Sequence, residues 1–581
     1  MSSKTLKNVI LEEGQHEHFE KMAEILNSFY FAIDLSVMGS GKTYITSKLF
    51  QHFNFKNMVV ICPKTIVSTW EKVREIYGLN FATIGKKNDI NGIITYEAFR
   101  GMKEGVLNSG LLEKTKVIIE GENKNKIETE FFPTRKLDSL IRSGCLFVFD
   151  EFQKTKSEDT STHNSVKALI TRVRELCDEE GVDSRIILNT GTMFCKVEQV
   201  LSFIKLIGIQ ENEKLYTNYR DGFKTRNLGF EEIYKYAQKL DSDLTGEVYQ
   251  ESLTSITKKG TIKRNKISAK NIKNVVFKLY TKVIQNYVTS AMSPFIPPEG
   301  IFLDCKNEYF ILSEERSSKL SKALTDLSRA TRYNNQTGKI FDADKPSLGM
   351  GKIIKSLMAL EHAKLEIFIR KSIEDLEEDE NCKICLIFNY LSSIKIAKEI
   401  LKDYRPLILC GDVKLEDREK LVNKYNRPNS KYRLLIGQFI VCSLGINLHD
   451  TDGNFPRKAY ISPNYRAMDT HQVTYRFFRR GVKSTPEIRY VYAESDVDIR
   501  EQSILDAYAK KTEVFEETLT SQTEGGVIFP GQYEKITEEE INFPYIEYDD
   551  RKIVFKSKRK KTLSQLITEV QNSLNIEEDE E

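Results

Sequence analysis

The sequence has no apolar run long enough to cross a bilayer, and its first residues, Met1-Ser2-Ser3-Lys4-Thr5-Leu6-Lys7, carry no apolar leader. These absences set the expectation of a cytoplasmic protein with no membrane partner. A disulfide framework is missing too. Nine cysteines lie scattered singly, apart from Cys382 and Cys385, which suits reduced thiols. That pair has no second Cys-x-x-Cys and no histidine pair nearby, so it completes no zinc site, and Cys385 falls inside the strand-like run Ile384–Phe388. Net charge is also slight, at +3. The charge is patterned nonetheless: Thr257–Lys273 holds many bases and no acid, Lys556–Lys561 forms a second basic knot, and the chain closes on Glu577–Glu581. Basic runs of this kind hold phosphate backbones or simply face water.

What is present describes a globular chain of several domains. At 581 residues, 40% hydrophobic and 29% charged, it exceeds one core, and two to four domains are expected. Strand-like runs alternate with helix-like ones in the first part: Met58–Pro63, Gly92–Tyr96, Leu146–Phe149 and Arg185–Thr192, with Ser165–Ile170 among the helices. Such alternation implies a parallel sheet covered on both faces. Lys116–Glu120 and Ile127–Phe132 flank a turn and predict a hairpin. From about 210 to 345 the alternation stops and polar, helix-prone text takes over, with Pro297–Gly300 as a turn. It resumes at Lys383–Phe388, Pro406–Gly411, Arg433–Gly437 and Lys458–Ile461. The expected plan is therefore α/β: a first domain at 1–210, a helical, basic insertion at 211–345, a second domain at 346–500, and an extension at 501–581 ending in one helix.

Two short stretches carry the chemistry. Met38-Gly39-Ser40-Gly41-Lys42-Thr43 follows the apolar segment Phe31–Leu35 and precedes the helix-like run Tyr44–Phe50. Glycines let backbone N–H groups close on phosphate oxygens, and a helix N-terminus adds partial positive charge. Lys42 reaches the β/γ-phosphates in such a loop and the Thr43 hydroxyl is offered to Mg²⁺. Ser36 stands where the usual first glycine would be. Downstream, the apolar run Leu146–Phe149 ends in Asp150-Glu151-Phe152-Gln153. A central parallel strand reads this way when its carboxyl end meets a ligand. Asp150 suits the metal, Glu151 suits water activation, and Gln153 lies beside the bound nucleotide. The two stretches read as halves of one ATP–Mg²⁺ site.

A second basic group lies at Gln472-Val473-Thr474-Tyr475-Arg476-Phe477-Phe478-Arg479-Arg480-Gly481. On a helix, Gln472, Arg476 and Arg479 share a face at i, i+4 and i+7. Two guanidiniums aimed at one target suit phosphate, because their charge is permanent and their fork matches its oxygens.

In order, these stretches resemble the motifs of superfamily-two helicases, most closely the Swi/Snf-type branch of DNA translocases. Cys62-Pro63-Lys64-Thr65 with Trp70, Ile94-Thr95-Tyr96-Glu97, Thr190-Gly191-Thr192, Gly411 with Arg418, Tyr425 and Asn426, and Ser443–Leu448 each resemble a motif of that branch. The resemblance spans roughly residues 15 to 495. Gln153 stands where histidine is commoner, and Met193 replaces the usual proline after Thr192. Gln15 is placed like the adenine-reading glutamine of such proteins. The size and the lack of large extra domains resemble the nucleoside triphosphatases of poxviruses and the helicase-like proteins of cytoplasmic linear plasmids, and the Lys-, Asn- and Ile-rich text fits an AT-rich genome.

The resemblance implies two RecA-like domains and an ATP-dependent DNA helicase or translocase, serving replication or transcription of a viral or plasmid-like genome. It implies Glu151, Lys42, Gln472, Arg476 and Arg479 as catalytic, Thr43 and Asp150 at the metal, and nucleic-acid contacts at Lys64, Thr65, Thr95, Thr190 and Ser443. DNA is the expected partner, with RNA polymerase or transcription factors recruiting the motor. The rivals are an RNA helicase and a transcription or assembly factor whose ATPase only switches conformation.

Overall fold

In the computed structural model, residues 7–37, 39–85, 91–101, 108–119, 126–158, 160–191, 193–194, 196–212, 214–215, 228–256, 262–268, 271–292, 297–310, 312, 314–336, 346–464, 466–493, 518 and 563–574 are described. They fall into two compact units, one from residues up to 294 with Thr518, the other from 295 to 493 with 563–574. Met38, Thr192, residues 257–261 and 269–270 of the first basic run, the whole of the second and the acidic tail lie outside the described residues.

The first unit is built on a six-stranded parallel sheet of β1 (Phe31–Asp34), β2 (Asn57–Cys62), β3 (Ile93–Thr95), β4 (Cys145–Asp150), β5 (Arg185–Asn189) and β6 (Thr289–Ser290), in the order β6-β1-β5-β4-β2-β3. Why these runs are continuously apolar follows from the two-residue period of a strand. Phe31, Ile33, Val59, Ile61, Phe147, Phe149, Ile186 and Leu188 enter the core on one face. Their neighbours Ala32, Met58, Val60, Leu146, Val148 and Ile187 enter a second core on the other. With helices on both faces, these strands are buried except at Asn57, Thr95 and Arg185 at their ends, which are half-buried. Burying each Phe or Ile contributes about 1.5–3 kcal/mol, so a polar residue in β4 would be costly.

The second unit repeats the plan. Its parallel sheet comprises β7 (Asp304–Phe310), β8 (Lys383–Phe388), β9 (Leu407–Leu409), β10 (Leu434–Gln438), β11 (Arg457–Ile461) and β12 (Glu487–Ala493), in the order β7-β12-β11-β8-β10-β9. Ile384, Leu386, Phe388, Leu434 and Ile436 face one core; Cys385, Ile387, Leu435, Ala459 and Ile461 face the other. Two RecA-like parallel-sheet domains are thus present, as the alternation implied.

Among the described residues five strands lie where none was expected, two of them the short antiparallel pair Thr254–Ile256 and Ile262–Arg264. β6 and β7 interrupt the stretch read as helical, and β12 follows the arginine segment. β7 (DCKNEYF) is an edge strand that pairs only with β12, which leaves its polar residues partly exposed and hides it from an apolar-run reading. The helices Leu228–Leu240, Ser242–Ser252 and Ile272–Leu279 pack against the first sheet, with Ile233, Val275, Leu279 and Tyr280 fully buried in its core. Residues 228–292 therefore complete the first unit and 304–310 begin the second sheet. The hairpin occurs as Leu112–Ile119 paired antiparallel with Lys126–Pro133, its tip at 120–125 outside the described residues. The terminal helix Leu563–Ser573 buries Leu563 and Ile567 in the second core, and the buried Arg316 donates to the Ser564 hydroxyl and carbonyl, both at 3.1 Å.

Candidate ATP site on the first sheet

The described sequence-expected residues of the first unit lie at the carboxyl ends of strands: residues 39–43 of the phosphate loop after β1, Lys64 and Thr65 after β2, Thr95 ending β3, Asp150 ending β4 with Glu151 and Gln153 just after it, Thr190 just after β5. That edge is where open parallel sheets bind ligands. β1 and β4, which carry the two halves of the site, are separated only by β5.

The phosphate loop is set by two glycines. Gly39 and Gly41 have φ of 79° and 102°, which a side chain at either position would strain. At Gly41 a Cβ would also run into the Gln15 amide. Gln15 donates to the Ser40 carbonyl at 3.0 Å and accepts from the Glu12 N–H at 3.0 Å, so the glutamine flagged by resemblance lies on the loop. Gly41 then caps helix α2 (Lys42–His52), whose first N–H groups face the loop. Lys42 folds back onto its own loop, its Nζ 2.7 Å from the Ser36 carbonyl and 3.2 Å from that of Val37.

The carboxylates are held tightly. Trp70 donates its indole N–H to Asp150 Oδ2 at 2.9 Å, and the Glu151 N–H reaches Oδ1 at 3.0 Å. Tyr96 donates to the Asp150 carbonyl at 3.0 Å. Burial pushes the Asp150 carboxyl up to about 6, the Glu151 charge adds to this, and the Trp70 hydrogen bond and Lys42 oppose it. Glu151 adopts a left-handed backbone, φ 55°, a strain of about 1–3 kcal/mol of the sort that clusters at functional sites. Its side chain accepts from Gln153 Nε2 at 2.5 Å, while Gln153 Oε1 accepts from the Thr190 hydroxyl at 2.7 Å. Thr190 N–H in turn donates to the Asp34 carbonyl on β1 at 3.0 Å. An amide at 153 can donate to the glutamate and accept from the threonine at once, so the departure from histidine keeps a bridge between the β4 and β5 ends.

The donor set fits Mg²⁺ and a nucleoside triphosphate: one ammonium, a hydroxyl on the helix's first turn, a paired carboxylate and a second carboxylate beside it. Of the other expected residues, Thr95 has a local partner. Thr95 Oγ1 accepts from the Ala98 N–H and caps the short helix Tyr96–Arg100. Lys64 is exposed and Thr65 half-buried on the turn Lys64–Ile66. Thr190 is fully buried.

In the second unit, the expected helix is shorter than the arginine reading required. It spans Ala467–Thr474, so Gln472 lies on it while Arg476 and Arg479 follow in a tight turn. The single-helix face for all three does not form. The reason is burial in two directions: Phe477 enters the core beneath the sheet, while Tyr475 and Phe478 enter a separate cluster with Val482. Bonds from Arg476 N–H to Val473 and Phe477 N–H to Thr474 close the tighter turn. Arg476 donates to the carbonyl of the buried Ser443, and Arg479 to the Asn447 side chain. Asn426 donates to the Asn447 carbonyl at 2.7 Å, and Arg418 to the Gly411 carbonyl at 3.1 Å. The separate motifs of this half thus meet around one loop.

Sequence reasoning gave no role to Trp70, Tyr96, His18 or Asp34. Trp70 was visible only as a motif residue; its bond to Asp150 needs the β2 and β4 ends side by side.

A phosphate loop after the first strand and an Asp-Glu pair two strands away together form a candidate ATP site. The ordered motifs resemble those of superfamily-two helicases and are Swi/Snf-like. No protein-family model matches the chain. It is 21% identical over 501 residues to a protein of Acanthamoeba polyphaga mimivirus provisionally named an ATP-dependent RNA helicase, covering 86% of this chain and 81% of that one. Among solved structures, the Sulfolobus solfataricus SWI2/SNF2 ATPase core in complex with double-stranded DNA matches at 15% identity and a TM-score of 0.30, over 91% of this chain and 98% of that one. The Pyrococcus furiosus Hef helicase domain matches at 13% identity and a TM-score of 0.37, over 85% and 97%.

Proposed function

We propose that the chain is a nucleic-acid-stimulated ATPase that uses hydrolysis to move along DNA, in the replication or transcription of a viral or plasmid-like genome. The observation that supports this most is the joint placement of Lys42, Thr43, Asp150 and Glu151 at the same edge of the sheet, after two strands separated by one. Gly39, Ser40 and Gly41 offer the nucleotide phosphates a cradle of backbone N–H groups, and Lys42 leaves Ser36 for the β/γ-phosphates. Thr43 and Asp150 would hold Mg²⁺, which when bound would neutralise charge on the phosphate oxygens. Glu151 orients the attacking water and takes its proton, with Gln153 fixing the carboxylate. Arg476 and Arg479 stabilise charge in the transition state and Gln472 senses the γ-phosphate. Lys64, Thr65 and Thr95 contact the nucleic-acid backbone, whereas Thr190 and Ser443, being buried, act by holding their loops.

A DNA duplex carrying a bound third strand tests the motor. ATP, but not ADP, is expected to release the third strand without separating the duplex. ATP hydrolysis without release would leave only the conformational switch. An RNA substrate is the second reading, favoured by the name of the mimivirus relative, and separation of an RNA duplex in place of triplex release would establish it.

A further inference from the structure

Behind the phosphate loop lies a buried polar cluster that the proposed mechanism does not use. β1 ends on Asp34, wholly buried, and His18 from α1 (His16–Ser28) reaches it, Nε2 lying 3.2 Å from Oδ2. The other carboxylate oxygen accepts from the Ser36 N–H at 2.9 Å. Ser36 Oγ stands 3.3 Å from His18 Nε2 and accepts from the Met292 N–H at 2.8 Å. On its far side His18 Nδ1 meets the Ser290 hydroxyl at 2.9 Å, and Ser290 is the register partner of Asp34 on β6. Three elements, α1, β1 and β6, thus converge on Ser36.

The position of Ser36 gives the cluster its meaning. Its carbonyl is one of the two that hold Lys42. Gln15, three residues before His18, grips the loop at Ser40. α1 and the residue before it therefore hold both ends of the phosphate loop. A buried carboxylate costs free energy unless paired, and apolar packing would fill this site more cheaply. Burial alone would raise the Asp34 carboxyl, but His18, Lys42 and Ser36 together hold it below the usual range.

We propose that His18 and Asp34 are positioning residues of the nucleotide site, fixing Ser36 so that the phosphate loop and Lys42 are preorganised for the phosphates of ATP. The inference rests on the ATPase reading. A loop held in its binding-competent form gives tighter nucleotide binding, because less ordering remains to be done. Losing the pair therefore weakens ATP binding more than it slows the chemical step.

The test uses the full chain with D34N, H18Q and H18A. D34N keeps an acceptor for the Ser36 N–H and removes the charge; H18Q keeps a side-chain N–H towards Asp34. KM for ATP and kcat are measured with Mg²⁺, beside thermal unfolding of each variant. D34N and H18A are expected to raise KM about tenfold or more, as for a lost charge-assisted bond, with kcat within about twofold and H18Q between wild type and H18A. KM within about twofold of wild type in folded D34N and H18Q would overturn the proposal, as would losses that only track the fraction folded. If H18A does not fold, D34N and H18Q decide. Hydrolysis by wild type and its loss in K42A separately establish the ATPase reading; a wild type that neither binds nor hydrolyses ATP brings both down.

Discussion

Lys42→Ala is expected to abolish ATP hydrolysis, a fall of roughly 10³-fold, as when a group that stabilises developing charge is removed. The ammonium is the only positive side chain on the phosphate loop itself, and here it already lies against the Ser36 and Val37 carbonyls. Those two bonds are what it exchanges for phosphate. The fold should survive, because the side chain is only half-buried and the loss of such bonds at a surface costs about 1 kcal/mol. A variant that unfolds at the wild-type temperature yet hydrolyses no ATP matches this account. One that retains hydrolysis places the site elsewhere.

Glu151→Gln should separate binding from turnover. The substitution removes the base, which supplies roughly 10²–10⁴-fold, while keeping an oxygen that can accept from Gln153. ATP should still bind, since Lys42, Thr43 and Asp150 are unchanged. Binding has a built-in reporter: the chain has a single tryptophan, and Trp70 donates to Asp150. A change in Trp70 emission on adding ATP with Mg²⁺, without phosphate release, is the expected outcome. Normal turnover in this variant would remove Glu151 from its role, and loss of the emission change would mean that the carboxylate serves binding instead.

The central strands and the carboxylate pair could be read from the sequence because burial on both faces leaves apolar runs such as Leu146–Phe149 and Ile384–Phe388. The ends of those runs place Asp150 and Glu151 without further information. Edge strands lack that signature: Asp304–Phe310 has one strand neighbour and keeps polar residues, and Thr289–Ser290 has only two residues. Helical periodicity misplaced Arg476 and Arg479 because Phe477 and Phe478 are drawn into different cores, which no local pattern encodes. The His18–Asp34 pair was illegible for a like reason. A histidine in a polar helix and an acid ending a strand become partners only once α1 packs behind the loop. At Gln153 the sequence showed only a departure; the structure supplies its use, a bridge from Glu151 to Thr190.

The central claim is that nucleic acid drives hydrolysis at this site. The measurement that tests it most directly is the steady-state ATPase rate with no nucleic acid, then with single-stranded DNA, duplex DNA and RNA at equal nucleotide concentration. The account expects strong stimulation by DNA, lost in K42A, and weak or no stimulation by RNA. Equal or greater stimulation by RNA would give the substrate to the helicase rival, and a rate indifferent to every nucleic acid would contradict the motor altogether.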